Sequence, residues 1–277
     1  MALTITTNVA SLNAQKNLAN TRYALDQSLA RLSSGKRINQ AADDAAGLAI
    51  SENLRAQIRG LRQANRNSND GISLVQVAEG GLHEISNMLI RLRELAIQAS
   101  SDTIGNVERG FLDVEYQQLK SEIQRIAEVT SFNGYGLLNG TGGVIDIQVG
   151  VHNSPFKDRI SFNSSAANST LEALGLSAES VATKGLAQAS IGVLDQGMAS
   201  VNAIRANFGA IQNRLQSTIN NLNISHENLS AANSRIRDAD IAEESAELTR
   251  NSILSQAGVS VLSQANNIQQ VALKLLG

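Results

Sequence analysis

The sequence predicts a mainly α-helical fold, an elongated antiparallel helical bundle or coiled coil formed by both chain termini, with a small central β-hairpin region. Apolar residues recur every seven positions near both ends of the chain, which is the spacing of helices packed along a common seam. The 277 residues include one proline, no tryptophan, three tyrosines and five phenylalanines, a composition suited to long uninterrupted helices. Only the segment from about 133 to 165 has the turn residues and alternation of β-strands.

Charge and composition argue against several classes of function. The net charge is −2 and the isoelectric point about 6.0, so neither nucleic acid nor a membrane surface is predicted as a partner. The absence of cysteine excludes disulfides and thiolate metal sites. The first residues lack the basic and apolar regions of a cleavable signal, and no run of about 18 apolar residues predicts a membrane span. If the protein leaves the cell, a route without such a signal is expected.

The first predicted helix runs from about Val9 to Leu32. Its apolar positions recur at intervals of three and four, and the leucines repeat every seven residues. Ser33–Gly35 follows, and serine and glycine are residues that end helices. The predicted stripe consists of Ala14, Leu18, Thr21, Leu25, Leu29 and Leu32.

A longer helix is predicted over Ala45–Ala99. Asp43 and Asp44 precede it, and carboxylates favour a helix N-terminus. Such a helix would be on the order of 80 Å long. The segment Asn65–Gly71 places amides where apolar residues are expected, which indicates a polar layer or a partner-facing patch, and Gly80–Gly81 is a second weak point. The predicted apolar stripe is Leu54, Ile58, Leu61, Ile72, Val75, Leu82, Ile85, Leu89, Leu92 and Ala96.

A third helix and a β region are predicted in the middle of the chain. The helix follows Asp102 and ends before Phe132, with one apolar side made of Val107, Phe111, Val114, Leu119, Ile123 and Ile126. The hairpin lies within 133–165, where apolar residues from Val144 to Val151 precede a turn and Ile160 and Phe162 follow it. The polar segment 164–170 is predicted to be an exposed loop, after which the helical pattern resumes.

The C-terminal half contains the clearest periodicity of the chain. Seven apolar residues spaced by seven predict one long helix, namely Leu194, Val201, Phe208, Leu215, Leu222, Leu229 and Ile236. A last helix carries Ile241, Leu248, Leu254, Val261, Ile268 and Leu275. Gly258, Ala265 and Ala272 lie between the last four of these residues, and small side chains allow helices to approach closely.

The positions of these helices predict how the chain closes and assembles. The N-terminal half is expected to pair with the C-terminal half, with 1–42 and 237–277 forming an inner coiled-coil domain and 43–236 a rod domain. Each terminal helix has one narrow apolar stripe, so the end segments are expected to become ordered when neighbouring copies cover them. The predicted polymerisation core is Leu18, Leu25, Leu32, Leu254, Val261, Ile268 and Leu275. Contacts between two different surfaces of identical copies generate helical filaments.

Several motifs resemble those of bacterial flagellins across almost the whole chain. The N-terminal half contains SLNAQ at 11–15, LSSG at 32–35, DDAAGLAI at 43–50, NDGIS at 69–73, RLRELA at 91–96 and FNG at 132–134. The C-terminal half contains SRIRDAD at 234–240 and QAGVSVLSQAN at 256–266. The resemblance implies a minimal two-layer flagellin without outer variable domains.

The flagellin resemblance also implies partners and a location. The protein would be a homopolymeric, secreted subunit of the filament used for motility, either extracellular or enclosed in a periplasm or sheath. Its other partners would be a flagellar export chaperone, the type III export apparatus, and the filament cap and hook–filament junction proteins. A host flagellin-sensing Toll-like receptor is a further implied partner, and the residues that match its contacts are Arg91, Leu95 and Glu115.

Two other functions are compatible with parts of the sequence. A hook–filament junction protein would share the terminal helices but would not polymerise on its own. An enzyme on the same scaffold has little support, because His83-Glu84 and His226-Glu227 lack the second histidine that a helical zinc-protease motif requires. Asp43-Asp44 is interpreted as a helix start and an intersubunit polar contact rather than a metal site. No catalytic residue, cofactor or metal is therefore predicted.

Overall fold

The computed structural model describes the backbone of residues 7–274 and the side chains of residues 7–267. The described part contains six helices and four short strands, so the prediction of a mainly α protein with a small β region is confirmed. The helices are α1 Val9–Ser34, α2 Ala45–Ser100, α3 Asn106–Val129, α4 Pro155–Asp158, α5 Lys184–Arg237 and α6 Ile241–Lys274. The strands are β1 Ser131–Phe132, β2 Tyr135–Gly136, β3 Val144–Gln148 and β4 Arg159–Asn163.

The chain forms two compact units. Unit 1 consists of Met1–Ala56 and Asn228–Gly277, and unit 2 of Gln57–Glu227. Unit 1 therefore contains α1, α6, the first part of α2 and the last part of α5. Unit 2 contains α3, the strands and the remaining parts of α2 and α5.

The core of unit 2 lies where α2, α3, α5 and the β region meet. Phe162 on β4 packs on Phe208 of α5 with ring centroids 5.1 Å apart, a separation typical of paired aromatic rings. The predicted periodicities of α2 and α5 are confirmed in this core. Fully buried members of the two stripes are Val75, Leu82, Ile85, Leu89, Leu92, Ala96, Leu194, Val201 and Leu215.

The predicted hairpin is confirmed, and it lies on small residues of α2. Strands β3 and β4 are antiparallel, with Ile147 opposite Ile160. A Cβ added to Gly71 would lie 2.7 Å from Ile147 Cδ1, so glycine allows this side chain to approach the helix backbone. Asn67 Nδ2 donates to the Gln148 carbonyl at 3.0 Å. The polar interruption of α2 is therefore a contact surface for the hairpin, and the helix continues through it.

A second hairpin lies at the start of the predicted β region. Strands β1 and β2 pair through Phe132 and Tyr135, and Asn133 and Gly134 between them have φ values of 49° and 82°. Asn-Gly favours such turns because both positions need a positive φ. Strands of two residues carry too little alternation for this pairing to be predicted from the sequence.

The prediction of an exposed loop at 164–170 is wrong. Ser164, Ala167 and Ser169 are buried. The Ser164 hydroxyl donates to the Gly136 carbonyl at 2.7 Å, and the Ser169 amide donates to the Leu138 carbonyl at 2.8 Å. Polar residues can be buried here because these hydrogen bonds satisfy them, which composition alone does not reveal.

The helical pattern also resumes later than predicted, because residues 171–183 form turns before α5 begins at Lys184. Polar side chains of α3 hold this segment. Lys120, which is 5% exposed, donates from Nζ to the Glu179 carbonyl at 2.7 Å, and Asp113 Oδ1 accepts from the Val181 amide at 2.8 Å. Burial lowers the pKa of Lys120, and the nearby Asp113 carboxylate partly offsets this effect.

The predicted apolar side of α3 is partly wrong. Val107, Phe111 and Val114 are 69%, 72% and 63% exposed. The buried side of the helix instead carries Arg109, Tyr116, Lys120, Ile123 and Ala127. Long polar side chains on this side bond to backbone carbonyls, so hydrophobicity alone misidentifies the face.

Candidate assembly surfaces

The predicted pairing of the two chain ends is confirmed in unit 1, where α1 packs against α6. The side chains of this seam are mostly small or polar. On α1 the buried residues are Ser11, Ala14, Leu18 and Ser28, and on α6 they are Glu244 and Ala265. Ser28 is buried on α1, whereas the predicted Leu29 is 48% exposed. The pair therefore buries little apolar area.

Close approach and hydrogen bonds hold the α1–α6 seam together. A Cβ added to Gly258 would lie 3.2 Å from Leu18 Cδ1, so the glycine allows the leucine to pack against the α6 backbone. Ser11 Oγ donates to Asn266 Oδ1 at 2.9 Å. Arg31 Nη1 pairs with Glu244 Oε1 at 2.9 Å, with 27% and 11% of the two side chains exposed. Polar contacts thus contribute much of the specificity of this pair.

The residues of the predicted polymerisation core differ in their exposure to solvent. Leu18 is buried, and Leu25 and Leu32 are half-buried along the seam. Leu254 and Val261 on α6 are 49% and 58% exposed, because α1 covers the neighbouring positions Gly258 and Ala265. The side chain of Ile268 and the whole of Leu275 lie outside the described residues.

Other large apolar side chains of unit 1 are exposed as well. On α1 they are Val9, Leu12, Tyr23 and Leu29, on the first part of α2 Ile50, and on α6 Ile241, Ile253 and Val259. Exposed apolar groups concentrated on one element indicate a surface that a partner covers.

The segments that join α1 to α2 and α5 to α6 lie side by side in unit 1. The Arg37 amide donates to the Arg237 carbonyl at 2.7 Å, and the Ala239 amide donates to the Gly35 carbonyl at 3.1 Å. Gly35 adopts a φ of 67°, which glycine tolerates at a helix end. The side chain of Arg237 also bonds to Glu52, and this hydrogen bond is the main reason that the pKa of Glu52 is lowered.

The aspartates before α2 end the first joining segment, as predicted. Asp44 Oδ1 accepts from the Gly47 amide at 2.8 Å, which caps the helix. Asp43 Oδ2 accepts from the amides of Gln40 and Asn39, each at 3.0 Å. These two bonds lower the pKa of Asp43, and the bond from the Gln40 amide has the larger effect. Among the described residues, no group of acidic and histidine side chains has a metal-binding arrangement.

The three residues that match receptor contacts lie in unit 2, and the structure brings two of them together. Arg91 Nη2 on α2 pairs with Glu115 Oε1 on α3 at 2.8 Å. The hydrogen bond from Arg91 to Glu115 is the main reason that the pKa of Arg91 is raised. Leu95 is only 1% exposed and belongs to the core of the unit.

The exposed side of α3 is a second apolar surface, which the sequence analysis missed. Val107, Phe111 and Val114 are spaced at i, i+4 and i+7, so they share one face of the helix. This face and the α6 surface are both uncovered within the described chain. No helix in the part of the chain described is long and apolar enough to span a membrane.

Paired terminal helices with exposed apolar side chains are typical of a structural subunit that other protein surfaces cover. Two family models match the chain: "Bacterial flagellin N-terminal helical region" over residues 5–142 and "Bacterial flagellin C-terminal helical region" over 191–276. The chain belongs to the bacterial flagellin family. It is a structural subunit of a flagellar filament and not an enzyme.

Individual relatives agree with this assignment. The chain is 45% identical to a flagellin of Halalkalibacterium halodurans, over 97% of this chain and 98% of that protein. It is 40% identical to the flagellar filament 33 kDa core protein of Treponema phagedenis, with the same two coverages. The crystal structure of Bacillus cereus flagellin is 33% identical with a TM-score of 0.51, covering 57% of this chain and 88% of that one.

Proposed function

We propose that neighbouring copies bury the exposed apolar residues beside the α1–α6 seam, and that this burial drives polymerisation. The observation that carries the proposal is the exposure of Leu254 and Val261, which α1 leaves uncovered. Segments 1–42 and 237–277 would then form the inner coiled-coil domain of the filament, and 43–236 the rod domain.

The same proposal includes ordering of the terminal helices on assembly. The α1–α6 seam consists mainly of serine, alanine, glycine and polar contacts, whereas hydrophobic burial contributes about 25 cal/mol per Å² of apolar area. A helix pair that buries so little apolar surface is marginal without further packing. Neighbouring copies would supply that packing, so helicity measured by circular dichroism should rise on polymerisation.

Deletion of residues 258–277 tests the role of the C-terminal helix. The truncated protein should stay soluble with unit 2 folded, but it should not sediment as filaments after seeding. Normal filaments from this variant would contradict the proposal. Sedimentation of the full-length protein also separates a flagellin from a hook–filament junction protein, which would not polymerise on its own.

A double substitution tests the exposed residues themselves. Leu254→Ser with Val261→Ser should leave the monomer folded and greatly reduce polymerisation, because two exposed apolar groups lose their burial. Gln256→Ser with Gln264→Ser is a matched control, since both glutamines lie on the exposed part of the same helix. Equal polymerisation by the two variants would exclude the α6 surface as the main contact.

We further propose that the subunit is secreted through the flagellar type III pathway. Family membership supports this route, with an export chaperone in the cytoplasm and assembly at the filament end with cap and junction proteins. Loss of the protein from the medium in cells lacking the export apparatus would support the route, and unchanged secretion would contradict it.

Recognition by a host flagellin-sensing Toll-like receptor is the last part of the proposal. Arg91 and Glu115 are both exposed and paired, so they can contact a receptor directly. Leu95 is buried and would act by supporting the helix surface beneath them. Arg91→Ala should reduce the response of receptor-bearing reporter cells to monomer, whereas Arg125→Ala on the same unit should not.

A further inference from the structure

We infer that an arginine-rich face of α2 in one subunit binds the acidic start of α6 in another subunit. This inference rests on the filament function and names the residues of one contact within it. The arginine face consists of Arg59, Arg62 and Arg66, and the acidic segment is 238–247.

The arginine face lies in a stretch of α2 whose charged residues are all basic. Residues 53–69 include four arginines and no aspartate or glutamate. Arg59, Arg62 and Arg66 are spaced at i, i+3 and i+7 on α2, so they lie on one side of the helix, and all three are exposed. Within the described side chains, no carboxylate lies close enough to any of the three to form an ion pair.

Neighbouring side chains in unit 2 position this face. Arg62 donates from Nε to His226 Nε2 on α5 at 2.8 Å. This bond leaves the two terminal nitrogens of the guanidinium to face a carboxylate. Asn65 Nδ2 donates to Asn223 Oδ1 at 2.7 Å. These residues, together with Arg66, line a small cavity of about 200 Å³. An arginine whose orientation is already held loses less conformational entropy when it binds a carboxylate.

The acidic segment has the complementary charge and spacing. Residues 238–247 include five carboxylates and no lysine or arginine. Asp240, Glu243 and Glu247 are spaced at i, i+3 and i+7, as the three arginines are. Both sets therefore extend over roughly 10 Å of helix. Asp240, which precedes α6 and accepts from the Ala242 amide at 2.8 Å, and Glu243 are exposed and form no ion pair among the described side chains. Glu247 pairs with Arg250 one turn along the same helix at 2.6 Å, an exposed i, i+3 pair of the kind that contributes little.

A second copy of the chain is the partner that these observations favour. Every copy offers both surfaces, and two different surfaces joined between identical copies continue without closing, as a filament requires. The net charge of only −2 means that overall repulsion between copies is weak. Opposite charges at the contact would then fix its register and speed association.

Reversing the charge of two residues on each surface, four positions apart in both cases, tests the inference. The variants are Arg62→Glu with Arg66→Glu, Glu243→Arg with Glu247→Arg, and the four changes combined. Each exposed ion pair changes an equilibrium constant by up to about fivefold, and reversal adds repulsion. Each double variant should therefore raise the critical concentration for polymerisation about tenfold, and the combined variant should return it to within about threefold of wild type.

Three controls keep the test decisive. Lys157→Glu makes one charge reversal at an exposed residue elsewhere in unit 2 and should leave the critical concentration within about twofold of wild type. Arg62→Gln with Arg66→Gln removes charge without repulsion and should raise it only about threefold. Circular dichroism of the monomers should show unchanged folding.

The outcomes separate this inference from the filament function. A wild-type protein that does not polymerise would refute the filament function itself. Normal polymerisation by the Arg62→Glu, Arg66→Glu variant would overturn the inference while leaving that function intact. A combined variant no better than either double variant would also overturn it, because the arginine face would then have a different partner.

Discussion

Gly80 and Gly81 are neighbours in α2, yet replacing each with alanine should have different effects on stability. A Cβ at Gly80 would meet nothing within 4 Å. A Cβ at Gly81 would lie 2.7 Å from Thr130 Oγ1 and 2.8 Å from Leu138 Cδ1. The two substitutions gain the same helix propensity, so their difference reports the contact at Gly81 alone.

The magnitudes follow from the two environments. Alanine in place of an exposed glycine inside a helix stabilises by about 1 kcal/mol, so Gly80→Ala should raise stability by that amount. The neighbours of Gly81 cannot move freely, because Leu138 is fully buried and Thr130 Oγ1 donates to the Ile126 carbonyl at 2.6 Å. Overpacking of this kind costs about 1–3 kcal/mol, so Gly81→Ala should be neutral or destabilising by up to about 2 kcal/mol.

Urea unfolding followed by the near-ultraviolet circular dichroism of tyrosine measures the difference. Tyr116 is fully buried in unit 2, whereas Tyr23 and Tyr135 are 71% and 54% exposed, so the signal reports mainly unit 2. The two variants should differ by about 1–3 kcal/mol in the free energy of unfolding. Equal stabilisation by both would refute the close approach of Thr130 and Leu138 to the helix.

Three further substitutions have expected outcomes. Arg109→Met should destabilise unit 2 by about 3 kcal/mol, because the buried guanidinium donates to the carbonyls of Ala99 and Ser101 at 2.7 and 2.8 Å; Arg125→Met on the same helix is exposed and should change little in the same urea assay. Gly258→Leu should weaken α1–α6 pairing, measured as faster proteolysis of the monomer, since a Cβ there already approaches Leu18. Burial raises the pKa of Tyr116 to about 12. Its contribution to stability is therefore complete below the unfolded value near 10 and is lost as the pH rises towards 12; Tyr116→Phe should abolish this alkaline loss, and an unchanged pH profile would contradict the assignment.

The long helices could be predicted because seven-residue spacing reports packing directly. Leu194, Val201 and Leu215 are all fully buried on α5, as their periodicity indicates. Spacing does not show which of two adjacent stripes faces the partner helix, however. On α6, Gly258 and Ala265 recur every seven residues just as Leu254 and Val261 do, and the small pair rather than the large pair meets α1.

Errors elsewhere arose where polar side chains replace apolar burial. Arg109 and Lys120 lie on the buried side of α3 because Arg109 bonds to carbonyls at the end of α2 and in the α2–α3 connection, and Lys120 bonds to carbonyls of the segment before α5. Phe111 is exposed on the opposite side. Hydrophobicity assigns these faces wrongly because it does not register carbonyl groups that need a donor.

If neighbouring copies cover α6 as proposed, the side chains of unit 1 favour the assembled protein over the isolated subunit. Had Leu254 and Val261 faced α1, the pair would bury them in the monomer and leave little apolar area for neighbours. Instead, small and polar residues meet within the subunit, and the larger residues remain outside. In the proposed filament, much of the apolar burial of unit 1 would therefore come when copies meet, at about 25 cal/mol per Å² covered. A subunit designed in this way can stay soluble alone and still form a stable polymer.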